Sequence, residues 1–258
     1  MASILHPLNR HIAEIKRRLL IIGATIMVAF VVAFTFSSAL IEWFKRPFAD
    51  DLLFYGPAEA LFASIKISFL AGVVASFPVI LHQFWRFIQP ALLARERRWA
   101  IPLFLLASGL FVLGLAVCNL IILPLVINFF VTFGLDREIT PELAVGTYVD
   151  FNVRFLLAFG FAFELPLALT LLSRAGLVSS EALVRYRKHA AMIALIFAAV
   201  ITPDATLFTM MLMAVPLIIL YEIGILGAKL FGRKTVKSET QDSGGGGVSP
   251  ETAGQRTR

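Results

Sequence analysis

The stretch AIPLFLLASGLFVLGLAVCNLIILPLVINFFV, residues 100–131, carries no charged side chain over 32 residues. A helix of that length extends about 48 Å, whereas the hydrocarbon core of a bilayer is about 30 Å thick. The stretch therefore predicts a membrane-spanning helix that tilts, bends at Pro124 or projects beyond the lipid.

Five further apolar runs lie on either side of this stretch. They are residues 19–40, 64–88, 147–173, 190–201 and 205–228. The whole chain of 258 residues is 59% hydrophobic and only 16% charged, which is less charge than soluble domains carry. We therefore predict an all-α integral membrane protein with six transmembrane helices.

Two features predict an irregular bundle. The run 190–201 has 12 residues and extends about 18 Å as a helix, so it does not cross the hydrocarbon core alone. The turn Thr202-Pro203-Asp204 follows it, and we predict that the fifth and sixth spans are both short. Proline interrupts the helical hydrogen bonds, so the prolines inside the spans predict a kinked, concave bundle. These are Pro78, Pro102, Pro124, Pro166 and Pro216.

The distribution of basic residues predicts the orientation. Eighteen Lys and Arg lie in segments 1–18, 86–98, 174–188 and 229–258, against three in the remaining loops. Because cytoplasmic loops are enriched in Lys and Arg, both termini are predicted to be cytoplasmic. The chain then divides into an N-terminal cytoplasmic segment (1–18), a transmembrane domain (19–228) and a polar, largely disordered cytoplasmic tail (229–258).

Two acids lie among cations on the predicted cytoplasmic side. Glu14 lies in HIAEIKRRLL (11–20), and Glu96 lies in LLARERRWA (92–100). One interpretation is local ion pairing, for Glu14 with Arg18 at i,i+4. The other is a shared anionic site for guanidinium groups, which bind carboxylates through paired hydrogen bonds.

Glu164, in FAFELPLAL (161–169), is an acid within an apolar run. A carboxyl group in a membrane is costly and is by default a functional candidate. Nearer the start of the same helix, Asp150 and Arg154 at i,i+4 predict a plain ion pair. Glu59 and Lys66, near the start of the second span, predict another.

Several functional classes lack support in the sequence. The single cysteine, Cys118, and four scattered histidines predict neither a metal site nor a cofactor, and there is no Walker A motif. The basic residues are distributed as expected for the surface of a membrane, so we predict no nucleic-acid partner. Two alternatives stay open from the residues alone: a proton-coupled secondary transporter using Glu164, and an intramembrane enzyme. The second lacks a catalytic constellation, so no enzymatic activity is predicted.

Seven motifs in order resemble the TatC family, the multispanning receptor subunit of the twin-arginine protein translocase. The resemblance runs from about residue 4 to 230. The motifs are HIAEIKRRLL, RPF, GPAEALFASIKISFLAG, PVILHQFWRFIQPALLARERR, AFGFAFELPLAL, ITPD and YEIGI. The paired Arg17 and Arg18 ahead of an apolar run imitate a twin-arginine export signal, but the resemblance is to the receptor of that signal.

The resemblance implies roles for particular residues. Residues at motif positions for signal-peptide binding are Glu14, Glu96, Lys16, Arg17 and Phe87. Lys16 stands where the family usually has arginine and keeps the charge. Residues at motif positions for transport or partner contact are Pro47, Glu164 and Asp204.

The resemblance also implies the setting of the protein. It implies a multi-pass protein of the bacterial plasma (inner) membrane that recognises folded cargo and exports it using the proton motive force. The implied partners are twin-arginine signal peptides, single-span subunits of the TatA and TatB types, further copies of the chain in a receptor complex, and the lipid bilayer.

Overall fold

The computed structural model describes residues 2–45, 55–88, 100–135, 144–202 and 206–231, and apart from short connecting segments this described part is helical. The helices in chain order are α1 (Ala2–Thr35), α2 (Ser37–Lys45), α3 (Glu59–Ile88), α4 (Ala100–Val117), α5 (Leu123–Leu135), α6 (Val145–Ala162), α7 (Leu165–Arg174), α8 (Ser180–Arg185), α9 (Arg187–Ile201) and α10 (Leu207–Phe231). A π-helical turn, Cys118–Ile122, joins α4 to α5. The prediction of an all-α protein is confirmed.

Five helical segments are long and apolar enough to cross a membrane. They are Ala13–Thr35, Glu59–Arg86, Ile101–Phe133, Val145–Arg174 and Leu207–Phe231. The sixth predicted span corresponds to α9, whose 15 residues extend about 22 Å and fall short of the hydrocarbon core. A topology with six crossings therefore remains a prediction.

The last two helices differ in length. The fifth span is short as predicted, although α9 begins at Arg187 rather than at residue 190. The prediction that the sixth span is also short is wrong, because α10 has 25 residues and extends about 37 Å. Pro216 does not end α10, since the helix continues on both sides of it. Arg187 and Glu222 form an ion pair of 2.8 Å that joins the two helices.

The long third span stays helical by changing its hydrogen-bond pattern near its middle. Leu123 N–H donates to the carbonyl of Cys118, which is the i→i−5 pattern of a π-helix. The next residue, Pro124, has no N–H to donate, so the irregular turn lies where the regular pattern would be interrupted.

The fourth span is interrupted near Glu164. Helix α6 ends at Ala162, and α7 begins at Leu165 with Pro166 in its first turn, where proline is well tolerated. Glu164 is the N-cap residue of α7, but its side chain accepts no capping hydrogen bond. The interruption therefore leaves the carboxylate available for other contacts.

Helices α3 and α6 run in the same direction and are joined by polar contacts where both begin. Lys66 Nζ lies 2.5 Å from Asp150 Oδ1. The Glu59 carboxylate accepts hydrogen bonds from the backbone N–H of Gly146 at 2.6 Å and of Tyr55 at 2.8 Å. The predicted pairs Asp150–Arg154 and Glu59–Lys66 are therefore wrong, because the packing of two helices brings closer partners than the same helix offers.

Helices α4 and α6 approach closely at a glycine. A Cβ atom on Gly114 would lie 2.7 Å from the carbonyl oxygen of Phe159. Phe111, Phe155 and Phe159 are among the largest fully buried side chains, so this contact lies in the core of the bundle. The lack of a side chain at Gly114 permits the close packing.

We expect Gly114→Ala to destabilise the bundle. The added methyl group meets a backbone atom that cannot move aside, and overpacking of this kind costs about 1–3 kcal/mol. Gly109→Ala, in the same helix, is the matched control because no atom of the described residues lies within 4 Å of a Cβ there. Thermal unfolding of the purified proteins in detergent should show a lower midpoint for Gly114→Ala alone. Equal midpoints for the two variants would contradict the assignment.

Candidate functional site

The first charged site lies on α1, at the end of the bundle where α3 finishes. Arg18 forms an ion pair with Glu14, one helical turn earlier, and its Nη1 donates to the carbonyl of Gln83 at 3.3 Å. The Arg18 side chain is 12% exposed, whereas that of Glu14 is 48% exposed. A carboxylate can accept about four hydrogen bonds, so Glu14 retains acceptor capacity for a second cation. The local pairing predicted for Glu14 is thus present without occupying the whole group.

A cavity of about 620 Å³ opens beside this ion pair. Five helices contribute to it: α1, α3, α4, α6 and α7. We call it the Glu164 groove, and its lining residues include Ile15, Arg18, Leu19, Ile22, Phe77, Ile80, Phe84, Trp85, Phe104, Phe161, Glu164 and Leu171. Among the described residues, the lining is apolar or aromatic apart from Arg18, Gln83 and Glu164, so the groove suits an apolar segment.

Glu164 places a carboxylate inside the groove that has no hydrogen-bond partner among the described residues. Its Oε1 atom is buried and, within the described part of the chain, accepts no hydrogen bond. The indole N–H of Trp85, which also lines the groove, is likewise buried without an acceptor among these residues. Buried polar groups are nearly always hydrogen-bonded, so these two groups make the groove a candidate binding site, although Ser68, Ser76 and Ser108, outside the groove, also have buried hydroxyls without a partner among the described residues.

The structure brings together two candidate sites that lie far apart in the sequence, around Glu14 and around Glu164. Arg18, which holds Glu14, and Glu164 both line the same groove. A bound molecule could therefore contact the half-exposed carboxylate of Glu14 at the edge and the half-buried carboxylate of Glu164 inside.

Other candidate residues lie elsewhere. Lys16 and Arg17 are exposed on α1 and do not line the groove. Glu96, Pro47 and Asp204 lie outside the described residues. Phe87 belongs to α3, but its side chain is not described.

Trp85 and Gln83 were not among the predicted site residues. Both lie in the quoted motif PVILHQFWRFIQPALLARERR, but neither carries a charge in an apolar run, which was the signal used to find Glu164. Within the described ranges, no three His, Cys, Asp or Glu side chains come together in a group that could hold a metal ion.

A family model described as Sec-independent protein translocase protein (TatC) matches residues 10–216. The chain belongs to the TatC family. The predicted resemblance is confirmed, and the chain is a protein translocase component whose apolar helices are consistent with a multi-pass membrane protein.

Named relatives and solved structures agree with this assignment. The chain is 40% identical over 241 residues to the Sec-independent protein translocase protein TatC of Aquifex aeolicus (strain VF5), covering 91% of this chain and 99% of that protein. It is 33% identical over 240 residues to TatCy of Bacillus subtilis (strain 168), covering 91% and 93%. A crystal structure of the twin-arginine translocase receptor TatC matches with a TM-score of 0.79 and 39% identity, covering 86% of this chain and 99% of that one.

Proposed function

We propose that this chain is the receptor and core subunit of a twin-arginine translocation system. It binds twin-arginine signal peptides and exports folded proteins across the membrane using the proton motive force. The observation that carries the proposal is the half-exposed carboxylate of Glu14 at the edge of an apolar groove that holds a second carboxylate, Glu164, whose Oε1 atom has no partner among the described residues.

The proposed binding mode follows from the chemistry of the two parts of the site. An export signal combines a basic segment with an apolar segment of about 7–15 residues. A cargo guanidinium binds the free side of Glu14, while Arg18 stays on the carbonyl of Gln83. The apolar segment of the signal then packs in the Glu164 groove, where it replaces lipid or water against the aromatic lining.

The remaining site residues divide between signal and partners. In the proposal, Glu96 supplies a second carboxylate, and Lys16, Arg17 and Phe87 complete the signal-binding surface. Pro47, Glu164 and Asp204 serve transport or contact with single-span subunits of the TatA and TatB types. The chain also associates with further copies of itself in the receptor complex.

The proposed location is the bacterial inner membrane with both termini in the cytoplasm. The supporting observation is the excess of Lys and Arg in segments 1–18, 86–98, 174–188 and 229–258. In this orientation the Glu14 end of the groove faces the compartment where cargo is made and folds.

A proton-coupled secondary transporter is the second candidate, because Glu164 has a buried carboxylate oxygen, Oε1, without a partner in the described part of the chain. Membership of a protein translocase family favours the receptor. The two differ in their ligand: the receptor binds a peptide, whereas the transporter moves a small solute into liposomes with a proton gradient.

We expect the purified chain to bind a twin-arginine peptide at least about ten-fold more tightly than a twin-lysine peptide of otherwise identical sequence. A guanidinium forms two parallel hydrogen bonds with a carboxylate, whereas an ammonium acts as a point charge. Fluorescence anisotropy of labelled peptides in detergent measures both affinities. Equal affinities would contradict the proposed receptor function.

A further inference from the structure

Arg154 is a cation within a membrane-spanning segment that no described residue neutralises. It lies on α6, is exposed, and has neither an ion pair nor a hydrogen bond within the described part of the chain. Asp150, one turn earlier, is held by Lys66 of α3 instead. The three side chains together carry a net charge of +1.

The position of Arg154 along its helix places it near a lipid headgroup region. It lies nine residues after Val145, which is about 13 Å along the helix. The segment Val145–Arg174 extends about 45 Å, so if it is centred on a 30 Å core, Arg154 lies about 6 Å inside the core boundary. A long arginine side chain reaches the headgroups from that depth.

We propose that Lys66, Asp150 and Arg154 form a binding site for the phosphate of an anionic phospholipid in the leaflet nearest Glu59. Arg154 offers planar paired donors that match a phosphate, and Lys66, 41% exposed, adds a second cation. Asp150 holds Lys66 in place and limits the net charge to +1, which a single phosphodiester neutralises.

The surface around the cluster favours a lipid over a free ion. Phe62 and Phe69 lie one turn before and one turn after Lys66 on α3, and they are 56% and 45% exposed. The acyl chains of a lipid whose phosphate sits on the cations therefore pack against aromatic rings. An inorganic phosphate would use the cations alone.

This site is separate from the Glu14 ion pair. Gln83, which contacts Arg18, lies 17 residues after Lys66 on α3. This separation corresponds to about 25 Å of helix. A failure of the lipid proposal would therefore leave the proposed receptor function untouched, and the experiment needs no signal peptide.

The test measures lipid binding to the full chain by native mass spectrometry. The probes are phosphatidylglycerol and phosphatidylcholine, added to the detergent-purified protein. We expect Arg154→Gln to weaken phosphatidylglycerol binding by about ten-fold. A hydrogen bond to a charged group contributes about a factor of ten in affinity, or more. Phosphatidylcholine binding should not change. Arg154→Lys should keep more of the affinity for phosphatidylglycerol than Arg154→Gln does.

Arg185→Gln is the charge-matched control. Arg185 is exposed on α8 and forms no ion pair within the described residues. An equal loss of phosphatidylglycerol affinity in Arg185→Gln, or no loss of that affinity in Arg154→Gln, would overturn the proposal. Displacement of the lipid by millimolar inorganic phosphate would identify an ion site instead. Unchanged lipid binding together with lost co-purification of a protein partner would identify a protein carboxylate as the ligand and would also overturn it.

Discussion

The Glu14→Gln variant should bind a twin-arginine peptide about ten- to a hundred-fold more weakly than the parent protein. A hydrogen bond to a charged group contributes about 1.5–3 kcal/mol, and each 1.4 kcal/mol is a factor of ten in affinity. Glutamine keeps the shape of the side chain and removes its charge, so the loss reports the missing carboxylate rather than a cavity.

The fold should tolerate this change. The pair of Glu14 with Arg18 is an i,i+4 contact with one half-exposed partner, and such pairs stabilise a helix by about 0.3–0.5 kcal/mol. Arg18 keeps its hydrogen bond to the Gln83 carbonyl in the variant. The thermal unfolding midpoint should therefore stay close to that of the parent.

Two comparisons make the result specific. Glu181→Gln changes the same charge on an exposed residue of α8 and should leave peptide affinity unchanged. The twin-lysine peptide should lose little affinity on Glu14→Gln. If both peptides lose affinity equally, Glu14 attracts cations in general and does not recognise arginine.

Glu96→Gln should have an effect of similar size, and the double variant separates two arrangements. If each acid binds a different cargo arginine, the two losses in free energy should add, giving about a hundred-fold or more. If both acids bind the same guanidinium, the double variant should lose less than the sum. Unchanged affinity in Glu96→Gln would remove that residue from the proposed site.

The positions of the membrane spans could be predicted because they depend on local composition. The apolar run 100–131 corresponds to the span Ile101–Phe133, and the run 147–173 corresponds to Val145–Arg174. An uncharged stretch of this length has few alternatives to a helix, since the bilayer offers no partners for free backbone groups.

The start of α1 was less predictable from the same signal. The apolar run begins at residue 19, but the helix runs without interruption from Ala2 through the charged segment to Thr35. Hydropathy distinguishes lipid-facing residues from polar ones, whereas it does not report where a helix extends into a polar region. Glu14 and Arg18 consequently lie on a continuous helix that carries them to the groove.

Contacts between helices could not be read from the chain. Asp150 was predicted to pair with Arg154 because they are four residues apart, but Lys66 lies closer across the α3–α6 contact. The groove shared by Arg18 and Glu164 has the same origin, because it depends on how five helices pack. The chemical identity of a candidate residue is visible in a sequence, and its neighbours are decided by tertiary packing.

Glu164→Leu should leave the fold intact or more stable while reducing export of cargo about ten-fold or more. The buried Oε1 atom has no hydrogen-bond partner within the described residues, and an unsatisfied buried polar group destabilises a protein by about 1–3 kcal/mol. Leucine fills a similar volume and matches the apolar lining. If Glu164 served only the stability of the fold, Glu164→Leu should instead lower the stability and leave export unchanged.

The expected loss of export has a separate cause. In our proposal, a polar group of a partner helix completes the hydrogen bonding of Glu164 during transport, and a charged contact of this kind is worth about 1.5–3 kcal/mol. Twin-arginine peptide affinity should change little, because the arginines bind Glu14 at the edge of the groove. Glu164→Gln, which retains hydrogen-bonding atoms, should export more cargo than Glu164→Leu.

Ser108→Ala is the matched control for these variants. The Ser108 hydroxyl is also buried without a partner in the described part of the chain, but the residue does not line the groove. Its replacement removes the same kind of unsatisfied atom and should leave export at the parental rate. Export of a folded fluorescent cargo, measured beside thermal unfolding, gives both readouts. Parental export in Glu164→Leu would show that the carboxylate has no part in transport, and an equal loss in Ser108→Ala would show that the effect is not specific to the groove.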